Sequence, residues 1–380
     1  MNNQRIWLSL AHMGGEEQKY VQEAFDTNWV VPMGPNVDAF EQDLGDYLGR
    51  GVSVAALSAG TAALHLGLIL LGVEPGDGVL CQSFTFSASA NPIIYQGAAP
   101  IFIDSEKDTW NMSPEHLERA IKDCLSKGKK PKAILPVHLY GMPAKMDEIS
   151  AISKKYDIPV LEDAAEALGS RYKNNFCGTL GNLAALSFNG NKIITTSGGG
   201  ALISKNDDYV RKARFLATQA RDAAPHYQHS QIGYNYRMSN VVAGIGRGQM
   251  KVLAQRVEQR RANNDFYRKQ LSEIEGITFH TEPSSNYYSN YWLTSIIIEP
   301  SKSGGKTRED VRLALDAANI ESRPLWKPMH LQPVFQNYPF YGDGTSEDLF
   351  DKGLCLPSGS SLTKEDLQRV VDVILSVIEV

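Results

Sequence analysis

The four cysteines of the chain, Cys81, Cys124, Cys177 and Cys355, lie far apart, and no two form a CxxC pair. That spacing indicates neither a zinc site nor a disulfide framework, so no metal is expected, and a reduced cytoplasmic protein is the simplest expectation. Basic charge is in deficit: 38 Lys and Arg stand against 43 Asp and Glu, a net charge of −5. No basic surface therefore points to nucleic acid. No apolar run approaches the roughly 20 residues that a membrane span needs. The stretch Met1-Asn-Asn-Gln-Arg-Ile-Trp7 lacks the apolar core of a signal peptide. A GxxxxGK[ST] phosphate loop, internal repeats and low-complexity tracts are also missing. What remains is a chain of 380 residues, 42% apolar and 21% charged. It is an ordinary globular composition, too long for one compact core and about right for two domains.

From Val52 to Asp163 the pattern alternates. Short apolar runs (Val52–Leu57, Gly78–Gln82, Pro100–Ile103, Ala133–Val137, Pro159–Leu161) read as strands. Helical stretches lie between them: Thr61–Leu71, Ser87–Tyr95, Pro114–Cys124 and Met146–Tyr156. The alternation predicts an α/β fold with a mostly parallel central sheet flanked by helices. Glu16–Phe25 and Val37–Leu48 read as amphipathic helices before it, and Asn28 to Asn36 as a loop broken by Pro32, Gly34 and Pro35. After Asp208–Ala220, a charged helix, comes a polar and aromatic loop, His226–Asn240. Val241–Leu271 then reads as one long helix. Strands at Thr278–His280 and Tyr291–Ile298 and helices at Thr307–Ala318 and Lys364–Val377 predict a smaller α+β C-terminal domain. The expected division is 1–245 for a large domain and 246–380 for a small one.

Ligands of open α/β sheets bind where strands end beside helix N-termini. Four such ends carry unusual residues. At Leu57-Ser-Ala-Gly-Thr61 small residues open a helix, which leaves backbone N–H groups for a phosphate; the alternative is a helix start capped by Ser58 or Thr61. In Ser83-Phe-Thr-Phe86 an aromatic at a strand-to-helix turn can stack on a planar ring, or simply pack in a core. Asp163 follows an apolar strand directly, and a buried carboxylate needs a partner: a pyridinium N–H would serve, as would a helix start that it caps. Glu166 follows one turn later. Lys192 is the lone lysine between an apolar run, Leu183–Phe188, and the glycines Gly198 to Gly200. Sheltered there, its amine would lose protonation by burial and attack a carbonyl; the plain alternative is a lysine in a surface turn. Ser187 offers a hydroxyl nearby, and Asn235 and Arg237 in Gly233-Tyr-Asn-Tyr-Arg-Met238 a second phosphate grip. A phosphate cradle, a stacking aromatic, an aspartate for a ring nitrogen and a lysine for an aldehyde together match pyridoxal 5'-phosphate.

Taken in order, these motifs resemble those of the DegT-type sugar aminotransferases, pyridoxal phosphate enzymes of fold type I. The resemblance runs nearly end to end, through Thr27-Asn-Trp-Val-Val-Pro-Met-Gly-Pro-Asn36, Ala59-Gly-Thr-Ala-Ala-Leu64, Ser83-Phe-Thr-Phe86, Glu162-Asp-Ala-Ala-Glu166, Ser187-Phe-Asn-Gly-Asn-Lys192, Gly233-Tyr-Asn-Tyr-Arg-Met238 and Lys327-Pro-Met-His-Leu-Gln-Pro333. It implies Lys192 as the catalytic, Schiff-base lysine and Asp163 at the pyridine nitrogen. Glu166 falls near the ring hydroxyl, Phe86 on the stacking position, and Gly60, Thr61 and Ser187 on the phosphate site. Asn235 would reach the phosphate of a neighbouring subunit, so a homodimer with shared active sites is implied. Trp29, Arg237, Trp326, Lys327 and His330 are the candidates for the substrate groove. Two departures stand out: Ser197-Gly-Gly-Gly200 where the family often has Gly-Glu-Gly-Gly, and Ser58-Ala59 before Gly60-Thr61. A dehydratase branch carries histidine at the position of Lys192, so lysine favours transamination. The implied reaction moves an amino group from L-glutamate to C4 of a nucleotide-linked 4-keto-6-deoxy sugar. UDP-4-keto-6-deoxy-N-acetylglucosamine, on the route to bacillosamine-type sugars, is the expected acceptor. GDP-perosamine synthases are the nearest alternative, C3 sugar aminotransferases another, and a cofactor-binding regulator without turnover is a third.

Overall fold

A computed structural model describes residues 4–378; Met1, Asn2 and Asn3 of the N-terminal stretch read above lie outside them. Two helices, α1 (Glu17–Asp26) and α2 (Pro35–Leu48), precede the sheet. The first half then alternates: β1 (Ser53–Leu57), α3 (Gly60–Leu70), β2 (Gly78–Gln82), α4 (Ser87–Tyr95), β3 (Ala99–Ile103), α5 (Pro114–Ser126), β4 (Ala133–Leu135), α6 (Met146–Tyr156) and β5 (Leu161–Asp163). A short ribbon, β6 (Arg171–Tyr172) and β7 (Asn175–Phe176), leads to β8 (Leu183–Ser187), β9 (Gly200–Ser204) and α7 (Asp207–Ala217). The strands of the main sheet bury nearly every residue, which is why they read as continuous apolar runs rather than alternating ones.

The sheet runs β3-β2-β4 on one side and β5-β8-β9-β1 on the other. Parallel bridges Ile134↔Val160 and Val137↔Asp163 join the halves. All neighbours are parallel except those of β9, which runs antiparallel to both β1 and β8. Helix α3 is apolar on every side and lies inside the molecule. Gly67 allows this close seat, because a Cβ there would stand 2.8 Å from Leu161 on β5. The helix that opens the phosphate motif is thereby clamped to the strand that ends in Asp163.

The rest of the chain comprises α8 (Asn240–Met250), α9 (Leu253–Leu271), β10 (Ile277–Phe279), β11 (Tyr287–Tyr288), β12 (Thr294–Ile298), α10 (Arg308–Ala317), β13 (Arg323–Pro324), β14 (Phe340–Tyr341), α11 (Thr345–Lys352), β15 (Gly353–Leu356) and α12 (Lys364–Ile378). Strands β10-β12-β15-β13 form an antiparallel sheet. With α10 and α12 it encloses a second core that includes Tyr267, Ile296, Leu315, Leu354 and Val371. Ile6 joins that core through a parallel bridge to Ile320. Strand β14 returns to the large sheet beside β3.

Two expectations need correction. The stretch read as one helix from Val241 to Leu271 breaks after Met250. Lys251 and Val252 bond back three residues, to Gly248 and Gln249, which tightens and ends α8. Gly248 packs against the backbone of Glu17, where a Cβ would come within 2.7 Å, so α8 is held to α1 while α9 goes on to the second core. The strand expected from Tyr291 begins instead at Thr294. Tyr291 adopts a left-handed φ of 45°, and Asn290 Oδ1 accepts from Trp292 N at 2.8 Å. That turn delivers Trp292 to the site described next.

Candidate active site

One cavity of about 650 Å³ gathers Gly60, Thr61, Phe86, Asp163, Glu166, Ser187, Lys192 and Trp326. Each arrives from the end of a strand of the large sheet, save Trp326, which follows β13.

The start of helix α3 has the form of an anion cradle. Its N-cap is Ala59, which makes no side-chain cap, so the first-turn N–H groups are left to point at a ligand. A Cβ on Gly60 would stand 3.0 Å from Ser187 Cβ, so glycine lets the helix start meet the end of β8 and form a concave corner. Gly200 is needed for the same reason: a side chain there would overlap the backbone of Ala59 and Gly60. This is where the departure at Ser58-Ala59 acts. Without a capping side chain the donors stay available.

Asp163 ends β5 almost fully buried, 5% exposed. Its Oδ2 accepts from Ser89 Oγ at 2.7 Å and its Oδ1 from Ala165 N at 3.1 Å. Both donors are neutral, so the carboxylate keeps its charge free for a cationic N–H in the cavity. Phe86, at the start of α4, is 56% exposed, and its ring is tilted 48° to that of Trp326 at 5.5 Å. Apart from that contact with Trp326, much of the ring is open to the cavity and can stack on a planar ligand.

Lys192 lies in the turn between β8 and β9, its side chain only 12% exposed. Nζ is 3.4 Å from Glu166 Oε1 and 4.2 Å from the centre of the Trp292 ring. The site thus offers the amine both a carboxylate and a π-face. Glu166 Oε2 accepts from Tyr140 N at 2.7 Å. Burial pushes the Glu166 carboxyl up to about 7, against the pull of the Lys192 ammonium and the Tyr140 N–H. The sign follows. Between about 4.5 and 7 the unfolded chain ionises Glu166 while the folded chain keeps its proton, so stability falls as pH rises through that window and levels off above it. Denaturant midpoints of the cofactor-free protein are expected to show this fall, and Glu166→Gln to flatten it. An equal slope in the two proteins would remove Glu166 as its source.

Other expected residues lie elsewhere. Arg237 does not enter the cavity: Nη1 donates to Glu41 Oε1 at 2.6 Å and to Ala56 O at 2.9 Å. Glu41 is buried and needs cations, and it takes Arg214 as well, at 2.8 Å. His330 is also withdrawn. It bonds Ser83 Oγ at 2.7 Å and Glu347 at 3.1 Å and stacks on Phe340 at 3.6 Å, closing a junction between the end of β2 and the C-terminal segment. Lys327 is exposed outside the cavity. Trp29 lies on the α1–α2 connection, 40% exposed. Asn235 is exposed on the segment that bridges Thr218, outside the cavity of its own chain.

Sequence reasoning passed over Trp292, Ser89, Glu321 and Arg323, all at or against the cavity. Trp292 carries no motif of its own; only the Asn290 turn brings it in. Arg323 stands three residues before Trp326, but nothing in that spacing places it at a cavity wall.

A family model described as the DegT/DnrJ/EryC1/StrS aminotransferase family matches residues 11–375. The chain belongs to this family. Its members are pyridoxal phosphate-dependent aminotransferases that act on sugars, with glutamate the usual amino donor. EpsN of Bacillus subtilis (strain 168), named as a pyridoxal phosphate-dependent aminotransferase, is 50% identical over 98% of this chain and 96% of its own. GDP-perosamine synthase of Caulobacter vibrioides is 35% identical over 97% and 96%. Among solved structures, a DegT DnrJ EryC1 StrS aminotransferase from Brucella abortus superposes with a TM-score of 0.89 at 29% identity, over 96% of this chain and 95% of that one. The α/β sheet with its parallel strands is the fold-type I aminotransferase architecture of these relatives. Among the described residues no helix is long and apolar enough to cross a membrane, and no group of His, Cys, Asp and Glu is placed to hold a metal ion.

Proposed function

We propose that this sugar aminotransferase transfers the amino group of L-glutamate to the C4 keto carbon of a nucleotide-linked 4-keto-6-deoxy sugar, UDP-4-keto-6-deoxy-N-acetylglucosamine in preference to GDP- or dTDP-linked ones, for cell-surface glycan synthesis in the cytoplasm. The observation that carries the transfer is the convergence of Lys192, Asp163 and the uncapped start of α3 on one cavity. When bound, pyridoxal phosphate supplies an aldehyde that accepts amino groups and a ring that takes up the electrons left by a departing proton. Gly60, Thr61 and Ser187 would hold its phosphate, Asp163 its ring nitrogen and Phe86 its face.

The chain's own groups do the rest. Lys192 serves as the base that takes the Cα proton of glutamate and, in the return direction, hands a proton to C4 of the sugar. Glu166, beside it and near neutral in its proton affinity, holds the amine over the reacting carbon. Trp292 and Trp326 wall the cavity against water, which protects a reactive carbon from stray protons. A homodimer would complete the site, with Asn235 of one protomer reaching into the cavity of the other.

The acceptor is open to direct test. Purified enzyme is incubated with glutamate and UDP-, GDP- and dTDP-linked 4-keto-6-deoxy sugars, and products are read by mass. Amination of the UDP sugar at C4 at the highest kcat/KM is expected. Preference for the GDP sugar would replace the UDP assignment with the perosamine-type reaction, which the 35% identical relative favours. Loss of a hydroxyl instead of gain of an amine would overturn transamination itself.

A further inference from the structure

The buried face of α9 is apolar at Leu253, Val257 and Leu271 but otherwise carries a row of polar side chains. Arg256, Arg260, Asn263, Asn264 and Tyr267 all lie inside, at spacings of three and four residues. They bond chiefly backbone carbonyls of three other segments: His12 and Met13, the turn before β12, and Pro357 to Gly359 after β15. Arg260 is the centre of the row, 1% exposed. Nη1 donates to the carbonyl of Trp292 at 2.6 Å and Nη2 to Ser9 Oγ at 2.9 Å; longer contacts of 3.4 Å reach the carbonyls of Lys192 and Ser358.

Among the described residues no carboxylate balances this cation, and its Nε has no partner. A buried, unpaired guanidinium is costly, and a packed apolar side chain would serve stability better. The geometry gives it another use. Trp292, gripped by Arg260, donates its indole N–H to the carbonyl of Asn191 at 2.7 Å and lays its ring 4.2 Å from Lys192 Nζ. Ser9, also gripped, donates to the same Asn191 carbonyl at 2.6 Å. Four elements (α9, the N-terminal segment, the Trp292 turn and the turn that bears Lys192) are tied through one fork.

We propose that Arg260 is a positioning residue for Lys192: it locks the turn of the reacting amine to the indole that walls it, so that Nζ is held at the site of proton transfer. The inference rests on Lys192 being the reacting amine. Arg suits the task because its planar fork serves several acceptors at once, which a lysine ammonium on a flexible stem does not.

The test uses Arg260→Lys and Arg260→Met in the cofactor-loaded enzyme for kinetics, and in the cofactor-free protein for backbone hydrogen exchange. In the Lys variant the rate of the glutamate half-reaction per folded site is expected to fall about 100-fold, the loss typical of a misplacement near 1 Å, with half-saturating glutamate within about twofold of the parent. Amide exchange across residues 189–196 should accelerate about tenfold or more, as the turn opens locally without global unfolding. A role in stability alone would lower the melting temperature and leave both the per-site rate and the exchange at 189–196 unchanged. A per-site rate within about threefold of the parent, or unaltered exchange in the turn, overturns the proposal. Should neither variant fold, Ser9→Ala removes one strand of the knot and is expected to give the same two changes at smaller size; their absence also overturns it. Lys192→Ala run alongside separates the two levels. Turnover in that protein would sink the role of Lys192, whereas the exchange data judge the Arg260 lock itself.

Discussion

Lys192→Ala protein is expected to lose amino transfer by a factor on the order of 10⁵ or more, the scale seen when an enzyme loses its nucleophile. No second lysine lines the cavity among the described residues, so no other side-chain amine can take up the proton. The fold should survive. Removing the ammonium leaves Glu166 without its ion pair, but a carboxyl already pushed up to about 7 escapes the cost by keeping its proton. The melting temperature of the cofactor-free variant near neutral pH should therefore stay within a few degrees of the parent. Product mass after long incubation is the readout, and transfer within about 100-fold of the parent would refute the assignment of Lys192.

The same protein tests the shared site. Mixed with Asn235→Ala protein and allowed to exchange subunits, it should regain activity. Each hybrid dimer then carries one cavity with both lesions and one with neither. Random pairing of two inactive chains gives about a quarter of the parent's activity. If Asn235 acted within its own chain, mixing would restore nothing.

How far the sequence foretells the site depends on what kind of residue is asked about. Asp163, Lys192, Gly60 and Phe86 were legible because each sits where a buried strand ends, and strand ends show as a switch from apolar runs to small or polar residues. Glycine at position 60 even has a steric reason, its seat against Ser187. The helix break after Met250 was not legible, since Gly244, Gly246 and Gly248 fit a helix and only their contacts with α1 and α2 show why it must end there. Arg237 and His330 were misplaced for a related cause. A cation or imidazole in a loop looks available until the buried carboxylate that claims it, Glu41, or the Ser83–Glu347 pair, is placed beside it. Trp292 and Arg260 were invisible for the opposite reason. They act through backbone carbonyls of residues far away in sequence, and a carbonyl leaves no mark on residue type.

Asp163→Asn should cost nearly as much as any change short of removing Lys192, and for a different reason. The amide is isosteric, so β5 and its bridge from Val137 stay in place, as do the backbone bonds of Asp163 to Pro136 and His138. Ser89 can turn its hydroxyl to accept from the new Nδ2, and Ala165 N still meets an oxygen. What is lost is the negative charge that we propose Asp163 sets against the ring nitrogen of the cofactor. A cationic N–H left unbalanced in a buried site costs about 3–5 kcal/mol. At 1.36 kcal/mol per decade that is roughly 10²–10⁴ in rate. The loss should fall on kcat, since a charge set against the cofactor ring acts as the ring takes up electrons rather than in binding glutamate, and a change confined to kcat marks an interaction that matters at the transition state. Asp163→Glu restores the charge but pushes it one methylene farther into the cavity, so a partial return is expected, together with weaker retention of the cofactor on dialysis. Stopped-flow rates of the glutamate half-reaction measure the first effect and equilibrium dialysis the second. If the Asn variant reacted within about fivefold of the parent, the charge of Asp163 would have no part in holding the ring, and the cavity's acid would have to be sought in Glu166.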